Sequence, residues 1–129
     1  MATVLYVEDE LDLRADLAEE LRDAGYETLE AANGQQGLDA ILRFRPDLVI
    51  CDVTMPGMNG IEMFHILRRE HPSFDKTRFV FLSALEDVSS QIEDGLRVDG
   101  YLTKPVDFHA VLRMARRQIE AAEELQGAA

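Results

Sequence analysis

The sequence predicts an α/β domain built on a doubly wound, five-stranded parallel sheet, and three observations carry that prediction. Five short runs of aliphatic and β-branched residues recur along the 129-residue chain, amphipathic stretches alternate with them, and turn formers punctuate the junctions. Such runs read as strands buried on both faces. Their alternation with helices requires right-handed crossovers and a layer of helices on each side of the sheet. For a (βα)5 chain, strand order 2-1-3-4-5 is the common solution.

Strand one is Thr3-Val4-Leu5-Tyr6-Val7, which stops at the acidic cluster Glu8-Asp9-Glu10. A helix follows over roughly 11–24, with Leu13, Leu17 and Leu21 forming one apolar stripe and Gly25 as its C-terminal stop. Strand two runs from Tyr26 to Ala31. Asn33-Gly34 marks a turn, and Leu38, Ile41, Leu42 and Phe44 give the second helix its buried face before Pro46 ends it. Strand three is Leu48-Val49-Ile50-Cys51. Ile61, Phe64 and Leu67 space a third helix that closes near His71-Pro72, and strand four is Phe79-Val80-Phe81-Leu82. A fourth helix is expected over about 86–96 and strand five at Gly100-Tyr101-Leu102. The fifth helix starts near Asp107 and turns Phe108, Val111, Leu112, Ala115 and Ile119 inward, running past the sheet toward Leu125. One domain is expected over 1–122, with 123–129 as a C-terminal tail or the start of a linker.

Composition narrows the class. Hydrophobic residues at 47% and charged residues at 29% suit a globular domain with a substantial core. A formal charge of −12 argues against direct nucleic-acid binding, because the phosphate backbone recruits Lys/Arg footprints, and it favours a metal ion or cationic partner. The single cysteine, Cys51, reads as a small core hydrophobe, so no disulfide framework is expected and a reducing compartment fits. The N-terminus has no basic leader, and no stretch approaches the ~20 apolar residues of a membrane span. A cytoplasmic chain without membrane contact is expected. His65, His71 and His109 lack metal-ligand spacing and read as surface side chains.

The chemistry collects at strand ends. Glu8 and Asp9 follow strand one, Asp52 follows strand three, Ser83 follows strand four and Lys104 follows strand five, all at one edge of the sheet. In open α/β sheets the functional crevice lies outside the carboxyl ends of the strands. Neighbouring strands lie ~4.8 Å apart, which would bring Asp9 and Asp52 within reach of one small cation. Two carboxylates ~4 Å apart repel by about 4 kcal/mol at an effective dielectric near 20. Mg²⁺, a hard cation for carboxylate and water oxygens, is the natural counter-ion, with Lys104 as a fixed positive charge beside it.

Glu8-Asp9, Asp52 with Met55-Pro56-Gly57, Ser83-Ala84, and Tyr101 with Lys104-Pro105 together resemble the receiver domain of two-component response regulators, over about residues 3–120. The resemblance implies a flavodoxin-like fold and a phospho-acceptor signalling domain. Asp52 would accept a phosphoryl group from a histidine kinase or a histidine phosphotransfer protein. It further implies that Asp9, Asp52 and the Thr54 backbone carbonyl ligate Mg²⁺, with Glu8 acting through a metal-bound water. Lys104 would pair first with Asp52 and then with a phosphoryl oxygen, across a cis bond to Pro105. Ser83 would donate to the phosphoryl group and Tyr101 would report the change, switching the face of helix four, strand five and helix five toward a downstream output domain or effector, or toward a homodimer. The chain would catalyse only its own aspartyl phosphorylation and dephosphorylation.

This sequence departs from the family's pattern in two places. Glu8 stands where a second aspartate is frequent, and Ser83 replaces threonine, losing the methyl that restricts the rotamer. The side chains expected to border the phosphoryl group, Thr54 and Leu85, include no acid or carboxamide to orient water, so slow intrinsic dephosphorylation is expected. Three other readings compete. A phosphatase of the haloacid dehalogenase type would need an aspartate at position 54, which is threonine. A dinucleotide or flavin binder would need a Gly-rich turn where Glu8-Asp9-Glu10 stands. A pseudo-receiver, an interaction module independent of phosphorylation, is the remaining alternative.

Overall fold

In the computed structural model, which describes residues 2–84 and 88–127, the order of elements is β1 (Thr3–Val7), α1 (Leu11–Asp23), β2 (Glu27–Ala31), α2 (Gly34–Phe44), β3 (Leu48–Asp52), α3 (Gly60–Glu70), β4 (Arg78–Ser83), β5 (Gly100–Thr103) and α4 (Phe108–Gly127). Short 3₁₀ turns at Pro72–Phe74 and Ser89–Gln91 join the set. The sheet is five-stranded with order β2-β1-β3-β4-β5, and every pairing is parallel. This is the predicted doubly wound, flavodoxin-like architecture.

Alternation along each strand divides the core into two layers, because successive side chains leave opposite faces of a sheet. Leu5, Val7, Val49, Cys51, Phe79 and Phe81 point to one face, where Leu38 and Ile41 of α2 and Met63, Phe64 and Leu67 of α3 cover them. Val4, Tyr6, Leu48, Ile50, Val80 and Leu82 point to the other, against Leu17 and Leu21 of α1 and Val111, Ala115 and Ile119 of α4. Cys51 is fully buried in the first layer, as its place in an apolar run implies.

Local signals set the helix ends. Asn33 and Asn59 accept hydrogen bonds from the backbone N–H of Gln36 and Glu62 at 2.9 and 2.8 Å, so each opens its helix as an N-cap. Asp107 does the same for α4 through His109 N–H at 2.9 Å. Gly25 stops α1 with φ +100°, a conformation that side-chain-bearing residues rarely adopt.

The predicted fourth helix is the one element that the described residues do not form. Residues 85–87 lie outside the description, and with them Leu85. From Val88 to Leu96 there is a single 3₁₀ turn and no α-helix, leaving four α-helices in all among the described residues. Ser89 and Ser90 disfavour helix by competing locally for backbone hydrogen bonds, and Gly95 adopts φ +88°. The segment still packs, since Ile92, Leu96 and Val98 rest on the α3 side of the core. Glu93 ties the segment to α3 through Arg69 Nε at 2.7 Å, and its N–H donates to His65 Nε2 at 3.2 Å. His65 and His71 are half-buried and His109 is exposed. Among the described residues no helix is long and apolar enough to cross a membrane. The predicted fifth helix is α4, and it continues through residue 122 without a break to Gly127.

Candidate functional site

Sheet register gathers the acidic residues. Val7 pairs with Cys51 and Asp52 with Leu82, so the residues that end β1, β3 and β4 emerge at one edge, and Ser83 pairs with Thr103 just before Lys104. Glu8 N–H donates to Ala31 O at 3.0 Å and Lys104 N–H to Ser83 O at 2.8 Å, extending the ladder into the loops that carry the charges. Parallel strands all finish at the same edge, which is why four separate sequence segments meet here.

The carboxylates of Glu8, Asp9 and Asp52 each place an oxygen within 4.8 Å of the others. Asp9 is exposed, whereas Glu8 and Asp52 are only 1% and 4% accessible. A charge withdrawn from water needs a partner. Lys104 supplies one: its Nζ lies 3.0 Å from Glu8 Oε1 and 3.2 Å from Asp52 Oδ2. Burial by itself would lower the ammonium's pKa, but the hydrogen bond to Glu8 and the charge of Asp52 together hold it above the ordinary lysine value. One ammonium between two buried carboxylates and a third nearby leaves a net negative centre. That donor set fits a hard divalent cation bound through carboxylate and water oxygens. Mg²⁺ is such a cation, and Glu8, Asp9 and Asp52 are suited to it.

Around this centre the remaining predicted residues take identifiable places. The Lys104-Pro105 peptide bond is cis. Ser83 is buried, with 3% of its surface accessible, at the end of β4. Thr54 is exposed in the loop that follows Asp52. Tyr101 is 44% exposed, and its ring stacks on Phe81 with centroids 6.1 Å apart. Between Ser83 and Tyr101 lies a cavity of about 220 Å³, lined also by Phe81, Val88 and Leu102. The aromatic ring, the hydroxyl and the non-helical segment after Val88 thus border one shared space.

Three further residues shape the site without having been singled out from the sequence. Tyr6, fully buried, donates its hydroxyl to Glu8 Oε1 at 3.4 Å. Burial, reinforced by the charges of Glu8 and Asp52, pushes its phenol far above the usual range, so it remains a donor. A tyrosine inside a fully buried strand needs a partner for its hydroxyl, and that was the available signal. Arg14 Nη1 donates to the Glu8 carbonyl at 2.9 Å and fastens α1 to the acidic loop. Gly60 brings the first turn of α3 against the Asp52 backbone, and its N–H donates to Val53 O at 3.0 Å. Nothing in the sequence marks Arg14, while Gly60 stands out only as the second residue of an Asn-Gly pair.

Comparison with known proteins agrees with this geometry. The family model described as "Response regulator receiver domain" matches residues 4–116. The chain is 40% identical over 105 residues to the phosphate regulon transcriptional regulatory protein PhoB of Pseudomonas aeruginosa, covering 80% of this chain and 45% of that protein. It is 35% identical over 109 residues to sporulation initiation phosphotransferase F of Bacillus subtilis, covering 84% of this chain and 86% of that one. The chain spans about half the length of the transcriptional regulatory proteins it matches, but most of the sporulation protein. Among solved structures, the chemotaxis response regulator CheY4 of Vibrio cholerae superposes with a TM-score of 0.82 at 31% identity, covering 92% of this chain and 98% of that chain. The buried aspartate, its acidic neighbours and the lysine at successive strand ends, on this fold and with these relatives, place the chain in the response regulator receiver domain family, a family of phosphorylation-based two-component signalling.

Proposed function

We propose that Asp52 is the phospho-acceptor and that its modification changes the surface formed by the segment after Val88, β5 and α4. The observation that carries this reading is a carboxylate 4% accessible at the end of β3, with Lys104 Nζ at 3.2 Å and two more carboxylates beside it. In the reaction an Asp52 oxygen attacks the phosphorus of a phosphohistidine on a histidine kinase or phosphotransfer protein. An O–P bond forms, the N–P bond breaks, and the electron pair returns to the imidazole nitrogen. Asp9, Asp52 and the Thr54 carbonyl would hold Mg²⁺ directly and Glu8 through water. When bound, that ion offsets the repulsion between an anionic nucleophile and an anionic phosphoryl group. Lys104 neutralises Asp52 before transfer and pairs with a phosphoryl oxygen afterwards. Ser83 donates to the new group and moves toward it, which alters the space shared with Tyr101 and so the face offered to an output domain, an effector or a second copy. Residues 1–122 serve as the receiver unit, with 123–129 as a C-terminal tail or the start of a linker.

The test is intact mass after incubation with acetyl phosphate, with and without Mg²⁺, on the native chain and on Asp52→Asn. The expected result is a Mg²⁺-dependent gain of one phosphoryl group that Asp52→Asn abolishes. No gain, even from a phosphohistidine donor, would favour a phosphorylation-independent interaction module. The same preparation gives the lifetime: Thr54 offers a hydroxyl but no acid or carboxamide to orient an attacking water, so decay should be slow. Loss within seconds would overturn that expectation.

A further inference from the structure

Tyr6 lies one residue from the end of β1 and faces the apolar layer beneath α1 and α4, where its neighbours are aliphatic. A hydroxyl in such a layer costs free energy unless it is bonded. Its phenol reaches Glu8 Oε1 at 3.4 Å, two residues along the same face of the sheet. The same oxygen receives Lys104 Nζ at 3.0 Å, while Oε2 lies 3.5 Å from the Glu10 N–H. Glu8 is therefore held on one oxygen by two donors of different kind. One is an ammonium also engaged with Asp52, and the other is a neutral group fixed by a fully buried ring.

We infer that Tyr6 is a positioning residue for Glu8, whose hydroxyl fixes that carboxylate in the acidic cluster beside Lys104 and stays as its donor when Lys104 turns away. The inference rests on the reading of the cluster given above, in which Lys104 moves to a phosphoryl oxygen. A carboxylate 1% accessible has little water to replace a departing ammonium. Tyr6 is the donor that does not depart, because its ring is packed on all sides. The pairing also accounts for glutamate at position 8: one C–C bond adds about 1.5 Å of reach, and without it the 3.4 Å contact would open beyond hydrogen-bond distance.

The test is a double-mutant cycle of Tyr6→Phe and Glu8→Asp, with Mg²⁺ titrated calorimetrically into the full chain. Tyr6→Phe keeps ring volume and should leave the fold intact. It should weaken Mg²⁺ binding about threefold to tenfold, less than the ~10–100-fold typical of a well-formed outer-shell bond because the contact is long. In the Glu8→Asp background the same substitution should change nothing. Native affinity in Tyr6→Phe, or an equal loss in both backgrounds, would reduce Tyr6 to a core-filling ring. If no form binds Mg²⁺, the metal reading of the cluster fails. The carbon resonance of the Glu8 carboxylate, recorded without metal, then decides: it shifts on Tyr6→Phe, or the inference is overturned.

Discussion

Asp99→Ala is expected to lower stability by about 3–5 kcal/mol, the range for removing one partner of a buried ion pair. The Asp99 side chain is 3% accessible, yet it faces Arg97 at 2.9 Å, Arg68 at 3.5 Å and Arg78 at 3.6 Å, and accepts from Phe79 N–H at 2.7 Å. Arg68 is itself 5% accessible, and burial, with Arg97 beside it, holds its guanidinium below the ordinary value. Without the carboxylate, three guanidiniums would crowd one place with only the exposed Asp75 as an anion nearby. The carbonyls of Phe74 and Thr77, which Arg68 also reaches at 3.1 and 2.8 Å, would bind the group but not cancel its charge. Urea unfolding should show an earlier midpoint at unchanged slope. A loss under about 1 kcal/mol would mean that the arginines behave as solvated surface charges. Because this knot ties the starts of β4 and β5 to α3, at the end of the sheet away from Asp52, the folded variant should still bind Mg²⁺ like the native chain.

That network is also where reading the sequence reaches its limit. Arg68, Arg78, Arg97 and Asp99 occupy four separate segments, and no periodicity links a residue in α3 to one before β5. The acidic centre is legible for the opposite reason. In a parallel sheet every strand finishes at one edge, so Glu8, Asp9, Asp52, Ser83 and Lys104 could be brought together from strand ends alone. Ile92 and Leu96 show the intermediate case. Their spacing suits a helix and both side chains do pack on the core, but Gly95 and the ties from His65 and Arg69 to Glu93 give a different backbone to the same buried pattern. Burial is encoded in spacing there, whereas conformation is decided by contacts with α3. Tyr6 falls between these cases: its strand is evident, its need for a partner follows from chemistry, and only the fold shows that Glu8 meets the need.

Gly60→Ala is expected to damage both fold and site, and a second glycine separates the two effects. A Cβ at Gly60 would lie 2.3 Å from the Asp52 carbonyl oxygen and 3.0 Å from Cys51 Sγ. The obstacle is the backbone of the proposed acceptor rather than the end of a flexible side chain, so either α3 or the end of β3 must shift by about an ångström. In a close-packed interior such overpacking costs about 1–3 kcal/mol. A misplacement of ~1 Å at reacting groups can cost about 100-fold in rate. Gly60 does not have a positive φ, so the strain is wholly one of space. Gly25 is the converse, with φ +100° and nothing within 4 Å of an added Cβ. There alanine should cost about 1–2 kcal/mol through conformation alone and leave Mg²⁺ affinity and phosphoryl uptake native. The comparison therefore reads three quantities for each variant: urea midpoint, Mg²⁺ affinity and rate of mass gain with acetyl phosphate. Gly60→Ala should lose in all three and Gly25→Ala in the first alone. A native uptake rate in Gly60→Ala would mean that α3 yields without moving Asp52, and that the close approach of helix and acceptor serves packing rather than chemistry.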